Sequence, residues 1–119
     1  MYSAEVLNHF ENPRGVGDLH DATVAVEVSN PVCGDVLRLS LRLDAGQIVE
    51  ARFRAQGCVP AIACGSKLVE ILSRREISAI KTVTPTQITE ELGGLPQASQ
   101  HAAALAVAAL HRALASIST

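Results

Sequence analysis

Aromatic side chains are almost missing from this chain: Tyr2, Phe10 and Phe53 are the only ones, and there is no tryptophan. A platform that stacks nucleic-acid bases needs several such rings, so that class is excluded. Charge of one sign is missing too. Ten basic residues face twelve acidic ones, the formal net charge is -2, and the basic residues are scattered rather than clustered. This balance excludes a nucleic-acid binder and a polybasic membrane binder. Long apolar runs are also lacking. The longest, Ala102 to Leu110, is about half of the roughly 20 residues needed to span a bilayer. Glu5 and Glu11 interrupt the start of the chain where a signal peptide would be apolar, so a cytoplasmic protein is expected. There is no phosphate-binding glycine loop, no Gly-x-Ser-x-Gly and no His-Glu-x-x-His, which argues against an enzyme.

Cysteine is scarce and odd in number: Cys33, Cys58 and Cys64. Three thiols in a reducing compartment do not make a disulfide framework, and metal binding or thiol chemistry becomes the better question.

What the chain does have is enough apolar content, 48% of 119 residues, to build one compact core, so a single domain over residues 1–119 is expected. Ser3 can cap a helix from about Ala4 to Phe10, which Asn12-Pro13-Arg14-Gly15 then breaks. Three segments alternate apolar and polar residues: Thr23 to Val28, Leu37 to Leu43, and Val49 to Arg54. The period of two puts Val24, Val26, Val28, the four leucines, Val49, Ala51 and Phe53 on one sheet face, with arginines on the other. Asp44-Ala45-Gly46-Gln47 reads as the hairpin turn between the last two strands. Beyond Gly57 the period becomes helical. Pro60 suits a first helical position, and Ala61, Gly65, Leu68 and Leu72 follow at helical spacing. Thr84 and Gln87 resemble a capping box for a helix that ends near Gly93-Gly94. A final helix runs from about Gln97 to Ile117, with Ala103, Val107, Leu110, Leu114 and Ile117 as its apolar stripe. Strands followed by helices predict an α+β fold: a three-stranded antiparallel sheet with helices packed on one face and water on the other.

Four residues invite chemistry. Cys33 and Asp35 stand in Pro31-Val32-Cys33-Gly34-Asp35, a turn that can point thiolate and carboxylate outward together, which suits a metal. A buried cysteine beside a turn-forming aspartate fits the same segment. Cys58 lies just ahead of a helix, whose N-terminus favours a thiolate and so a ligand or sulfur acceptor. Filling a strand–helix joint is the plainer alternative. Cys64 lies roughly 9 Å further along that helix on the face of Ala61 and Leu68, where packing is its expected role. His101, opening the last helix, can face a site or simply sit at the surface. His9, His20 and His111 have no partners in sequence, and His111 is expected to be structural. A cysteine hydrolase built on Cys58 and His101 lacks any acyl-binding feature.

Three segments together resemble the IscU/NifU N-terminal scaffold family. They are Tyr2-Ser3 through Val6 with His9-Phe10, Asn12-Pro13-Arg14 and Val16-Gly17; Cys33-Gly34-Asp35; and Phe53 followed by Gly57-Cys58 and Ala61-Ile62-Ala63. The resemblance runs over nearly the whole chain and implies three antiparallel strands with helices packed against them. It also implies receiving sulfur from a cysteine desulfurase, assembling a [2Fe-2S] cluster and passing it to apo iron–sulfur client proteins. By position, Cys33, Asp35, Cys58 and His101 match that family's ligands. The family's third cysteine, directly after the histidine, is Ala102 here. Its Leu-Pro-Pro-Val-Lys chaperone motif is reduced to Leu95-Pro96 followed by Gln97, Ala98 and Ser99, which weakens the case for handover by an Hsp70-type chaperone.

The ligand count then matters. A [2Fe-2S] cluster usually takes four thiolates, although histidine replaces some. Two thiolates, an imidazole and a carboxylate give a weak, oxygen-labile cluster, whereas Zn²⁺ accepts such a tetrahedral set readily. The expected function is a cluster scaffold or carrier with a modified ligand set. The rival is a non-enzymatic regulator, zinc-bound or empty, that docks on a cysteine desulfurase.

Overall fold

A computed structural model describes residues 2–31 and 34–117 of the chain. Ser3 caps helix α1 (Ala4–Glu11), its hydroxyl accepting the Val6 N–H at 3.1 Å. Strands β1 (Val24–Ser29), β2 (Val36–Asp44) and β3 (Gln47–Gln56) follow. They form one antiparallel sheet in the order β1-β2-β3. Helices α2 (Val59–Leu72), α3 (Ile77–Ile80), α4 (Pro85–Glu91) and α5 (Gln100–Ile117) complete the chain, with a 3-10 turn at Gln97–Ser99 before α5. The α+β architecture expected from the sequence is the one observed.

The sheet buries Val26, Leu37, Leu39, Leu41, Ala51 and Phe53 against the helices. Its other face is wet and charged. There Asp18 accepts from Arg38 Nε at 3.0 Å and from Arg54 Nε at 2.9 Å, bridging two arginines that stand opposite each other on β2 and β3. Helix α2 lies close on the inner face because residue 65 is glycine. A Cβ there would come within 2.6 Å of the Phe53 ring. The edge of β3 is covered at both ends. Phe53 exchanges backbone hydrogen bonds with Gly15 and Gly17, and Ile48 does so with Arg74 and Arg75. An exposed row of unpaired strand groups is thereby avoided.

Several local expectations are corrected. Val49 is 41% exposed, while Ile48 beside it is fully buried. The cause is a bulge: Arg42 pairs with Glu50 and Leu43 with Ile48, so Val49 is the extra residue and the alternation changes phase. The hairpin turn is the two-residue kind, with positive φ at Ala45 (52°) and Gly46 (79°), matching the twist of the strands. Thr84 caps α4 as expected, but Gln87 donates its side-chain amide to Glu91 rather than closing a reciprocal box. Helix α2 begins at Val59, so Pro60 is its second residue. Helix α5 buries a broader face than the predicted stripe, adding Ala102, Leu105, Ala106, Ala109 and Ala113. The small side chains let it approach both α2 and the sheet. Helix α3 was not foreseen; four residues are too few to show a period.

Two histidines also differ from expectation. His111 is exposed. His9 is 1% exposed and far from partnerless. Its Nδ1 lies 2.7 Å from Ser66 Oγ on α2, and the same oxygen accepts the Arg14 N–H at 2.8 Å. Glu70 Oε1 lies 3.7 Å from His9 Nε2. This polar staple joins α1 and the following turn to α2.

Candidate metal centre

The ends of three elements converge at one point. Asp35 immediately precedes β2, Cys58 is the N-cap residue of α2, and His101 is the second residue of α5. Val36 and Gln56 are partners in the β2–β3 ladder, which puts the residue before the first strand beside the residues after the second. The loop carrying Asp35 is itself closed: Asn30 N–H donates to Asp35 O and Gly34 N–H to Asn30 O, both at 2.8 Å.

The donor atoms of Asp35, Cys58 and His101 all lie within 4.8 Å of one another, the one such group among the described residues. Asp35 Oδ2 is 3.3 Å from Cys58 Sγ and 3.4 Å from His101 Nε2. Ligand bonds of the usual zinc lengths in a tetrahedron put neighbouring donors about 3.4–3.7 Å apart. Asp35 Oδ2 therefore stands at about this spacing from both other donors. Asp35 is buried at 4% exposure, not turned outward as the sequence suggested, because its carboxylate packs on the Gly57 backbone.

His101 is aimed by a backbone oxygen. Its Nδ1 lies 3.1 Å from Ala98 O, a group that can only accept, so Nδ1 carries the hydrogen. In the neutral ring, Nε2 then holds a lone pair. That atom is buried and has no hydrogen-bond partner among the described residues. A buried nitrogen lone pair facing a carboxylate is an unfavourable arrangement that a cation between them would relieve. The donor set thus fits a metal ion.

Cys58 corrects a second expectation. Placement at a helix mouth favours thiolate, yet the thiol sits above its ordinary pKa. Burial is the largest cause; the Ala61 N–H pulls the value down, and hydrogen bonding to Asp35 raises it again. The thiol donates to Asp35 Oδ2 at 3.3 Å. Cys64 is fully buried, and burial pushes its thiol to about 12. It packs in the core, as its helix face predicted. Cys33 lies outside the described residues. His20 is exposed and is not part of the cluster.

The model of the NifU-like N terminal domain matches residues 1–118. The chain belongs to that family. This NifU-like N-terminal domain is 39% identical to the iron-sulfur cluster assembly scaffold protein IscU 1 of Archaeoglobus fulgidus, over 96% of this chain and 74% of that one. It is 40% identical to the IscU scaffold protein of Azotobacter vinelandii, over 95% of this chain and 91% of that one. Among solved structures, the NifU-like N-terminal protein of Brucella abortus superimposes with a TM-score of 0.80, covering 98% of this chain and 93% of that one. At 14% identity, that likeness speaks for the fold alone. The relatives bear names of scaffold proteins, and no helix among the described residues of the NifU-like domain is long and apolar enough to cross a membrane.

Proposed function

We propose that this chain, acting as one scaffold domain of the cytoplasm and not as an enzyme, holds iron–sulfur cargo for delivery to apo-proteins. Its ligands are Asp35, Cys58 and His101, with Cys33 as the fourth. The observation that carries this reading is the convergence of three donors within 4.8 Å of one another, with the His101 lone pair buried and without a hydrogen-bond partner among the described residues. The relatives' names supply the nature of the cargo. A cysteine desulfurase is the sulfur source on this reading, and a [2Fe-2S] cluster is the form in which iron and sulfide are held. Handover by an Hsp70-type chaperone is not part of it, because Gln97, Ala98 and Ser99 interrupt the motif.

A second reading rests on Ala102. It is 1% exposed and offers no donor, so the ligand set is short of thiolate for a cluster and sufficient for one Zn²⁺. On that reading the chain holds zinc and regulates a desulfurase by docking. Anaerobic incubation with iron, cysteine and a desulfurase separates the two. Near-stoichiometric iron and acid-labile sulfide, with charge-transfer absorption, supports the scaffold. Zinc retained with no sulfide taken up supports the regulator and overturns the scaffold.

A further inference from the structure

Asp35 is held by the absence of a side chain. Gly57 adopts φ 152°, and a Cβ built on it would fall 2.2 Å from Asp35 Oδ1, 2.6 Å from Cγ and 3.1 Å from Cβ. The carboxylate therefore occupies the space that any other residue at position 57 would fill. One oxygen, Oδ1, rests on the Gly57 backbone. The other, Oδ2, is left facing Cys58 Sγ and His101 Nε2. The seat of Oδ1 against Gly57 leaves Oδ2 as the oxygen that faces the two other donors.

We infer that Gly57 is a positioning residue whose missing Cβ seats the Asp35 carboxylate and aims its second oxygen at the ligand cluster. The inference rests on the reading of Asp35 as a ligand. Any side chain at position 57 drives the carboxylate from its seat beside the other two donors, although the nearest contacts of its Cβ are all with Asp35. Because the seat is shaped to a carboxylate one methylene from the backbone, it also selects aspartate over glutamate at position 35.

The test is Zn²⁺ affinity, measured by competition with a chromophoric chelator, for the wild-type chain and the variants G57A, D35A, D35E and G57A/D35A. A melting curve on each establishes that it is folded. G57A is expected to weaken binding about 10- to 100-fold, the range typical of residues that orient a ligand. The double variant should bind no worse than D35A, since the seat has no purpose without its carboxylate. D35E should fall with D35A. An equal cost of G57A in both backgrounds, or no cost, overturns the inference, because strain at φ 152° acting on Cys58 would ignore Asp35. Wild-type affinity in D35E overturns it independently, and does so even where G57A fails to fold. Unchanged affinity in D35A instead overturns the ligand reading beneath. The crystal structure of metal-free G57A then judges the seat: a carboxylate displaced from Cys58 supports it, and one still 3.3 Å away sinks it.

Discussion

Ser66 Oγ on α2 is hydrogen-bonded to His9 Nδ1 on α1 at 2.7 Å while accepting the Arg14 N–H at 2.8 Å. The hydroxyl partners a buried imidazole nitrogen and a half-buried backbone N–H, and it holds the first helix and the turn after it against the second.

Ser66→Ala therefore strands both groups. Each unsatisfied buried polar group costs about 1–3 kcal/mol, so a loss of that order is expected in a urea titration. An equally stable variant would mean that water reaches the staple.

The same staple makes stability depend on pH. Burial lowers the His9 pKa below its ordinary 6.5, with the Arg14 charge acting in the same direction. The unfolded chain thus binds the proton more readily than the folded one. Stability is full above about pH 6.5 and falls as the pH drops through and below that value. Melting curves from pH 7.5 to 5 check the sign, and His9→Asn should flatten the dependence.

The two described thiols should separate cleanly. Cys58→Ser is expected to abolish Zn²⁺ binding, whereas Cys64→Ser leaves it intact and only lowers stability, because a hydroxyl replaces a fully buried thiol. At neutral pH iodoacetamide should leave Cys64, whose thiol is pushed to about 12, unmodified in the folded chain. Equal loss of zinc in both serine variants would contradict the site.

Arg74 sits at φ 64° just past the end of α2, its N–H bonded to Ile48 O at 2.8 Å. A non-glycine residue in that conformation costs roughly 1 kcal/mol, so Arg74→Gly should stabilise the chain by about that amount. A lower melting temperature in the variant would show that the arginine side chain contributes more than its backbone loses.

The α+β architecture was legible because the two periods are strong: the leucines of β2 alternate without a break, and α5 repeats its apolar positions over five turns. The phase of β3 was not legible near Val49, since a bulge is set by pairing with Arg42 and Leu43, which lie across the hairpin. Cys64 was read correctly from its helix face. Cys33, Asp35 and Cys58 carried local signals, and the resemblance joined them to His101 as one ligand set; the local signal at His101 was weak, because the convergence of Asp35, Cys58 and His101 depends on strand and helix ends far apart in sequence. The His9 staple was missed because its partners lie 57 and 61 residues away, at Ser66 and Glu70. The glycine at 57 gave no hint that its empty side chain was occupied by Asp35.

Asp35 and Cys58 flank the open end of a hairpin whose other end is the Ala45-Gly46 turn. Sliding β2 against β3 by two residues would keep every leucine in the core, yet it would draw the two donors apart by about 7 Å. The length of a surface turn at the far end of the molecule, together with the one-residue bulge beside it, thus acts as the ruler that sets the bite of the metal site.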